Sequence, residues 1–175
     1  KLDFHIEDCL GRTWQCGTIQ LDSQLPERFH LEYVGEDGLK HRPVMIHRVV
    51  FGSIERFIGV ITEHFAGAFP LWLAPVQVKV LPVTERAHDY ATQIAAKLDA
   101  AGVRVENDLR SEKLGYKIRE AQVQKVPYML VVGDRDMENG TVSVRTRKGD
   151  DLGAMTPDAF LAKCLTEVAT KSKEL

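Results

Sequence analysis

The sequence predicts an α/β protein in two parts, a strand-rich first part and a second part built on a mixed sheet. Three observations point there. Short alternating or Val- and Ile-rich blocks recur at 13–22, 43–51, 76–83, 128–133 and 141–147, the pattern of strands. In the later half these blocks alternate with helical segments and then close on a hairpin, which implies a sheet of mixed direction. Between the halves, Phe69-Pro70-Leu71-Trp72-Leu73-Ala74-Pro75 interrupts every periodicity, so the expected domains are 1–73 and 74–175.

Residues 1–22 read as two strands joined by a turn at Gly11-Arg12. Residues 23–42 are polar, with Gly35-Glu36-Asp37-Gly38 as a turn signal. The apolar run 43–51, PVMIHRVVF, is expected to be a buried strand. Ile54, Phe57, Ile58, Ile61 and Phe65 then share one helical face, with Ser53 as N-cap. In the second part, strand 76–83 leads to helix 85–101, which Gly102 ends. Strand 103–106, helix 113–125 and a buried strand at 128–133 follow. Asn139-Gly140 signals a tight turn before the alternating strand 141–147. Thr156-Pro157-Asp158 opens the last helix, with Pro157 in its first turn.

Composition excludes several classes. The 175 residues are 44% hydrophobic and 27% charged, so a packed core is available. The formal charge of −2 gives no chain-wide basic field, so any nucleic-acid contact must come from a local patch. No run of ~18 apolar residues predicts a membrane span. Cys9, Cys16 and Cys164 fit no common zinc spacing and read as reduced, cytosolic thiols. The chain opens at Lys1, directly in strand-like sequence, as a piece of a longer protein would.

One helix start looks built for an anion. With Ser53 at the N-cap, Glu55 suits the positive end of the helix dipole and Arg56 opposes it. That turn also offers free backbone N–H groups, and Gly52 lets a ligand come close to the chain. A cation beside such donors is a phosphate site. The plain alternative is an exposed Arg56 paired with a neighbouring carboxylate. His47, in an apolar strand, is either a core residue or a ligand. A local zinc site of Cys9, Cys16 and His47 is disfavoured, because Cys16 adjoins Gln15 and should point the other way.

Three strings, in order, resemble one family. Trp14-Gln15-Cys16-Gly17-Thr18-Ile19-Gln20-Leu21-Asp22 resembles the pocket-floor strand of the threonyl-tRNA synthetases. Pro43-Val44-Met45-Ile46-His47-Arg48 running into Gly52-Ser53-Ile54-Glu55-Arg56 resembles their motif 3, a class II synthetase motif. Ala74-Pro75-Val76-Gln77-Val78 onward looks like the anticodon-binding domain shared with the prolyl, histidyl and glycyl enzymes. The resemblance implies the end of a class II antiparallel-sheet catalytic core followed by a mixed-sheet α/β anticodon-binding domain. It implies His47 as one of three zinc ligands, the others lying outside this chain. Gln20 and Ser53 would hold the threonine, Gln15, Thr18 and Gly52 would line the adenylate pocket, and Arg56 would meet the ATP phosphates. ATP with magnesium, zinc, threonine and tRNA(Thr) are the implied cofactors and partners, in a cytoplasmic, homodimeric parent with no membrane role. This chain alone would be catalytically incomplete. Strict alternation puts Gln15 and Gln20 on opposite faces; a bulge at Gly17 would reset the phase.

Residues 108–148 hold nine basic side chains against six acidic ones, a local excess on an acidic chain. In strand 141–147, Arg145 and Arg147 share a face with Thr141 and Ser143. Such donors read base edges in single-stranded RNA loops; a solvated edge strand is the plain alternative. The resemblance selects Ser111, Lys125, Arg135, Asp136 and Arg145 as anticodon contacts. Ser111 stands where the family carries Asn, and Lys125 where many relatives carry Arg, a loss of planar bidentate geometry. A free-standing accessory protein with an anticodon-type fold is the alternative function. Retention of Gln15, Gln20, His47, Ser53 and Arg56 together argues against it. The M-I-H-R string argues against a prolyl or glycyl enzyme.

Overall fold

The computed structural model describes residues 1–173, which form two compact units that divide between residues 65 and 66. In the first unit, β1 (Leu2–Glu7), β2 (Thr13–Asp22) and β5 (Met45–Val49) make an antiparallel sheet of order β1-β2-β5. Its first hairpin is locked by Asp8. The carboxylate accepts the Leu10 and Arg12 backbone N–H groups, each at 2.9 Å, the Arg12 Nε–H at 2.6 Å and the Trp14 indole N–H at 2.7 Å. The polar stretch after β2 holds more order than its composition announces. It contains the short helix α1 (Gln24–Arg28) and a two-residue ribbon, β3 (Tyr33–Val34) with β4 (Lys40–His41), turning at Gly35–Gly38. Helix α2 (Ile54–His64) follows β5, with Ser53 as its N-cap: Ser53 Oγ accepts the Arg56 backbone N–H at 3.3 Å.

Strand β5 corrects an expectation. It is an edge strand rather than a buried one, and Ile46 is 63% exposed. It pairs on one side only, and Ile54 and Ile58 of α2 are exposed as well. An apolar run alone does not say that both faces of a strand are covered.

The second unit is a five-stranded sheet of order β10-β9-β8-β6-β7. Strands β6 (Val78–Pro82), β7 (Val105–Asn107) and β8 (Tyr128–Val132) run parallel. Strands β9 (Val142–Thr146) and β10 (Asp151–Met155) add antiparallel neighbours. Helices α3 (His88–Ala100), entered through a 3-10 turn at Glu85–Ala87, and α6 (Pro157–Thr170) cover one face. There Val78, Val80, Leu130, Val142 and Val144 meet Ala91, Ile94, Leu98 and Phe160, all buried. Helix α4 (Leu114–Val123) covers part of the other face, with Ala121 against Leu81 and Met129. Strand β8 is a continuous apolar run because both of its faces are covered, and β6 departs from that only at Lys79.

Two expectations shift here. Asn139-Gly140 is not a hairpin turn: it ends helix α5 (Asp134–Asn139), with Gly140 at φ 63° as a left-handed cap. The units also part ahead of the expected boundary at 73/74, because the segment at 66–74 is stitched to the second unit. Leu71 is buried in that unit's core. Gln77 Nε2 donates to the Leu71 carbonyl at 2.8 Å, and the Arg104 guanidinium donates to the carbonyls of Ala74 and Trp72 at 2.9 and 3.1 Å. No helix among the described residues is long and apolar enough to cross a membrane.

Candidate functional site

The first unit gathers its candidates through one irregularity. Phe4 pairs with Gly17, but the next residue, His5, pairs with Gln15. Cys16 therefore has no partner across the ladder and forms a bulge, where the sequence placed one beside it at Gly17. The extra residue resets the alternation. Gln15 now shares a face with Thr18 and Gln20, and Gln20 pairs directly with His47. Phe4 lies over Gly17 on the opposite face, where a Cβ at Gly17 would come within 3.2 Å of its ring.

On that face the polar groups are already oriented. Gln15 Nε2 donates to Asp3 Oδ1 at 2.7 Å. Thr18 Oγ1 is buried and completes no hydrogen bond of full geometry, yet its nearness is the main reason the Asp3 carboxyl lies below its ordinary range, with Lys1 assisting. His47 Nε2 lies 3.1 Å from Asp22 Oδ2, while Asp22 Oδ1 accepts the backbone N–H groups of Gln24 and Leu25 at 2.9 and 3.1 Å. The Leu25 backbone N–H first, then the His47 ring and the Gln24 backbone N–H, hold the Asp22 carboxyl low. Asp22 is thus a fixed acceptor for one imidazole nitrogen and leaves Nδ1 for another partner. The sequence did not single out Asp22 or Asp3, since both become site residues only once strand pairing is known.

Gly52 joins α2 to this face. Its φ is +66°, and a Cβ there would lie 3.0 Å from the Cys16 carbonyl oxygen and 3.5 Å from that of Gln15. The helix start therefore sits directly on the bulge. The Ser53 hydroxyl donates to Glu55 Oε2 at 2.7 Å while it caps the helix. Arg56 is exposed and has no carboxylate partner among the described residues, so the paired-Arg alternative is not what the structure shows. Cys16 is buried in the bulge and Cys9 exposed. Among the described residues no cluster of three His, Cys, Asp or Glu side chains is placed to hold a metal. His47 with its Asp22 acceptor suits one ligand of a metal centre, and one ligand does not make a centre.

In the second unit, the α4 side of the sheet is polar beyond the helix. One row across the ladder runs Lys79, Met129, Arg145, Asp151, and the next runs Leu81, Val131, Ser143. Arg145 is therefore on the α4-side face, with Nη2 3.1 Å from Asp151 Oδ2. Lys79 donates to Gln124 Oε1 at 2.9 Å on the same face. Asp136 is a hub: it accepts the Gly133 N–H at 3.1 Å and the hydroxyls of Thr141 and Ser143 at 3.2 Å each. Arg135 is exposed, with no ion-pair partner among the described residues. Ser111 and Lys125 flank α4 at opposite ends. Ser111 lines a cavity of about 350 Å³ with Thr84, His88, Arg110 and Lys117. Lys125, at φ 59°, donates its ammonium to the Ala66 carbonyl. Five candidates chosen from sequence thus do not converge on one point; they flank the α4-side face and its two ends. Lys117, only 2% exposed, was missed. Its ammonium donates to the carbonyls of Asp108 and Pro82 at 2.9 and 3.3 Å.

Comparison with known proteins follows the same division. Residues 1–65 match the tRNA synthetase class II core domain (G, H, P, S and T), and residues 77–167 match the anticodon binding domain. Threonine–tRNA ligase of Caldanaerobacter subterraneus subsp. tengcongensis is 64% identical over 98% of this chain, and that of Syntrophomonas wolfei is 67% identical over 98%. The chain spans 27% of the length of each of these curated relatives. A crystal structure of the RNA binding domain of threonyl-tRNA synthetase from Cryptosporidium parvum Iowa II superposes with a TM-score of 0.82 at 38% identity. The match covers 94% of this chain and 42% of that one.

Proposed function

We propose, for a chain that belongs to the threonyl-tRNA synthetase family, that its first unit supplies part of the site where threonine and ATP form threonyl-adenylate, and that its second unit binds the anticodon of tRNA(Thr). The observation that carries the first half is the Cys16 bulge. It sets Gln15, Thr18, Gln20 and His47 on one face and seats the Gly52 helix start against that face. Gln20 and Ser53 serve the threonine side. Gln15, Thr18 and Gly52 line the nucleotide side. Arg56, at a helix N-terminus and with no carboxylate partner among the described residues, stabilises phosphate charge as pyrophosphate leaves. ATP is taken with magnesium.

His47 is the single zinc ligand we assign to this chain, with Asp22 fixing its ring. Zinc, when held there with ligands from elsewhere in the protein, supplies an open coordination position for a hydroxyl that valine lacks. For the second unit, the α4-side face offers Arg145, Lys79 and Ser143 in adjoining rows, with Asp136 and Arg135 beside them. Ser111 and Lys125 complete the RNA surface at the ends of α4. A free-standing accessory role is not favoured, because the synthetase-type face of the first unit is intact. A homodimeric, cytoplasmic ligase is the whole-protein form attached to this reading, supported by the identity to threonine–tRNA ligases.

The test uses a ligase of the relatives' full length carrying this chain. Threonine-dependent ATP–pyrophosphate exchange, weak with valine and lost with zinc in His47→Ala, is the expected result. Exchange that proceeds equally with valine, or at full rate with stoichiometric zinc in His47→Ala, contradicts the assignment.

A further inference from the structure

We propose that Asp3 is a positioning residue: it turns the Gln15 amide so that Oε1 faces the ligand over the sheet, and the ligand group taken there is a hydrogen-bond donor. This rests on the reading that the bulged face binds threonine and ATP. The chemistry follows from what each group can do. An ionised carboxylate only accepts, so whatever Gln15 gives Asp3 must be its amino group. The contact is 2.7 Å. That logic fixes the amide orientation from the partner and does not depend on how its oxygen and nitrogen were assigned. Asp3 is in turn placed by its register opposite Thr18 and by Lys1 Nζ at 3.3 Å. Without the extra residue at Cys16, Gln15 would face the other side of the sheet and never meet Asp3.

The consequence is a rule about polarity. With one amino hydrogen held by Asp3, Gln15 turns its carbonyl oxygen away from that contact and presents it as an acceptor. A phosphate oxygen, which also only accepts, is repelled from that point and falls to Arg56 instead. A ribose hydroxyl or the ammonium of threonine fits, since each donates.

The experiment measures ATP–pyrophosphate exchange in a full-length ligase carrying this chain, with Asp3→Leu, Gln15→Leu and the double variant. Asp3→Leu should raise KM for ATP or for threonine, one of the two, by about tenfold. The kcat and the unfolding midpoint should hold. Gln15→Leu should match it, and the double variant should be no worse than either. Asp3→Asn keeps an acceptor oxygen and should recover most of the loss. Where Asp3→Leu does not fold, Asp3→Ser takes its place. Two arms identify the donor. If it is a ribose hydroxyl, 2′-deoxy-ATP or 3′-deoxy-ATP binds poorly to the parent and Asp3→Leu adds no further loss with that analogue. If it is the ammonium, threonine KM moves and both analogues are affected equally by Asp3→Leu. Unchanged KM values in a folded Asp3→Leu protein, or additive losses in the double variant, overturn the proposal. A parent without threonine-dependent exchange overturns the underlying reading instead.

Discussion

Gly52→Ala is the substitution on which the geometry of the first unit turns. Gly52 adopts φ +66°, where a residue with a Cβ is strained by roughly 1–2 kcal/mol. Its added methyl would also stand 3.0 Å from the Cys16 carbonyl oxygen, a backbone atom of the bulge that cannot swing aside. Crowding of that kind costs about 1–3 kcal/mol. Gly38 separates the two effects, since its φ is +75° and a Cβ there meets nothing within 4 Å. The expected loss is therefore about 1–2 kcal/mol for Gly38→Ala and about 2–5 kcal/mol for Gly52→Ala. The assay is denaturant unfolding followed by Trp14 fluorescence in a Trp72→Phe background, so that the signal comes from the first unit. Equal losses at the two glycines would refute the claim that the helix start is held rigidly against the bulge.

Three further outcomes follow from the same structure. Arg56→Ala should leave the unfolding midpoint unchanged or slightly raised, since Arg56 opposes the helix dipole. In the full-length ligase it should slow adenylate formation by about 10²–10³-fold; unchanged exchange would remove Arg56 from the site. The Asp22 carboxyl titrates below its ordinary value in the folded chain, chiefly through the Leu25 backbone N–H and His47. Its contribution is therefore complete above the unfolded value of about 4 and is lost as pH falls through the lower folded value. Stability measured from about pH 6 down to pH 3 should show an acid-dependent loss that Asp22→Asn removes, and an identical profile in the variant would contradict this. Burial pushes the Cys164 thiol up to about 12, whereas Cys9 is exposed. Iodoacetamide at about pH 8 should label Cys9 readily and Cys164 only after denaturation; mass spectrometry of the peptides decides.

Much of this was legible in the sequence. The strand at 76–83 was written in its repeated valines, the buried strand at 128–133 in a continuous apolar run, and Ser53 in its position before an amphipathic repeat. A bulge was inferable because the family resemblance asks both glutamines to serve one site, although it fell at Cys16 rather than at Gly17. The remainder depended on pairing. Asp22 and Asp3 are ordinary acidic residues until the ladder sets them beside His47 and Gln15. Asn139-Gly140 carries the same left-handed preference whether it closes a hairpin or ends a helix, so its local chemistry could not choose. The buried ammonium of Lys117 was hidden because a lysine in a helical pattern reads as solvent-facing until its face is known. The exposure of β5 was hidden because an apolar run does not reveal how many neighbours cover it.

On the proposed function, the α4-side face of the second unit reads an anticodon through Arg145. The direct measurement is titration of this chain, and of its Arg145→Ala and Lys148→Ala variants, with a threonine anticodon stem-loop and with one altered at the central anticodon base, over a range of salt. Arg145→Ala should weaken the matched RNA by roughly 1–3 kcal/mol and narrow its advantage over the altered one. Lys148→Ala should, at most, weaken both RNAs alike and lower the salt slope. Equal weakening of both RNAs by Arg145→Ala would make it a backbone contact. No weakening at all would leave this face as a solvated sheet surface and contradict the claim.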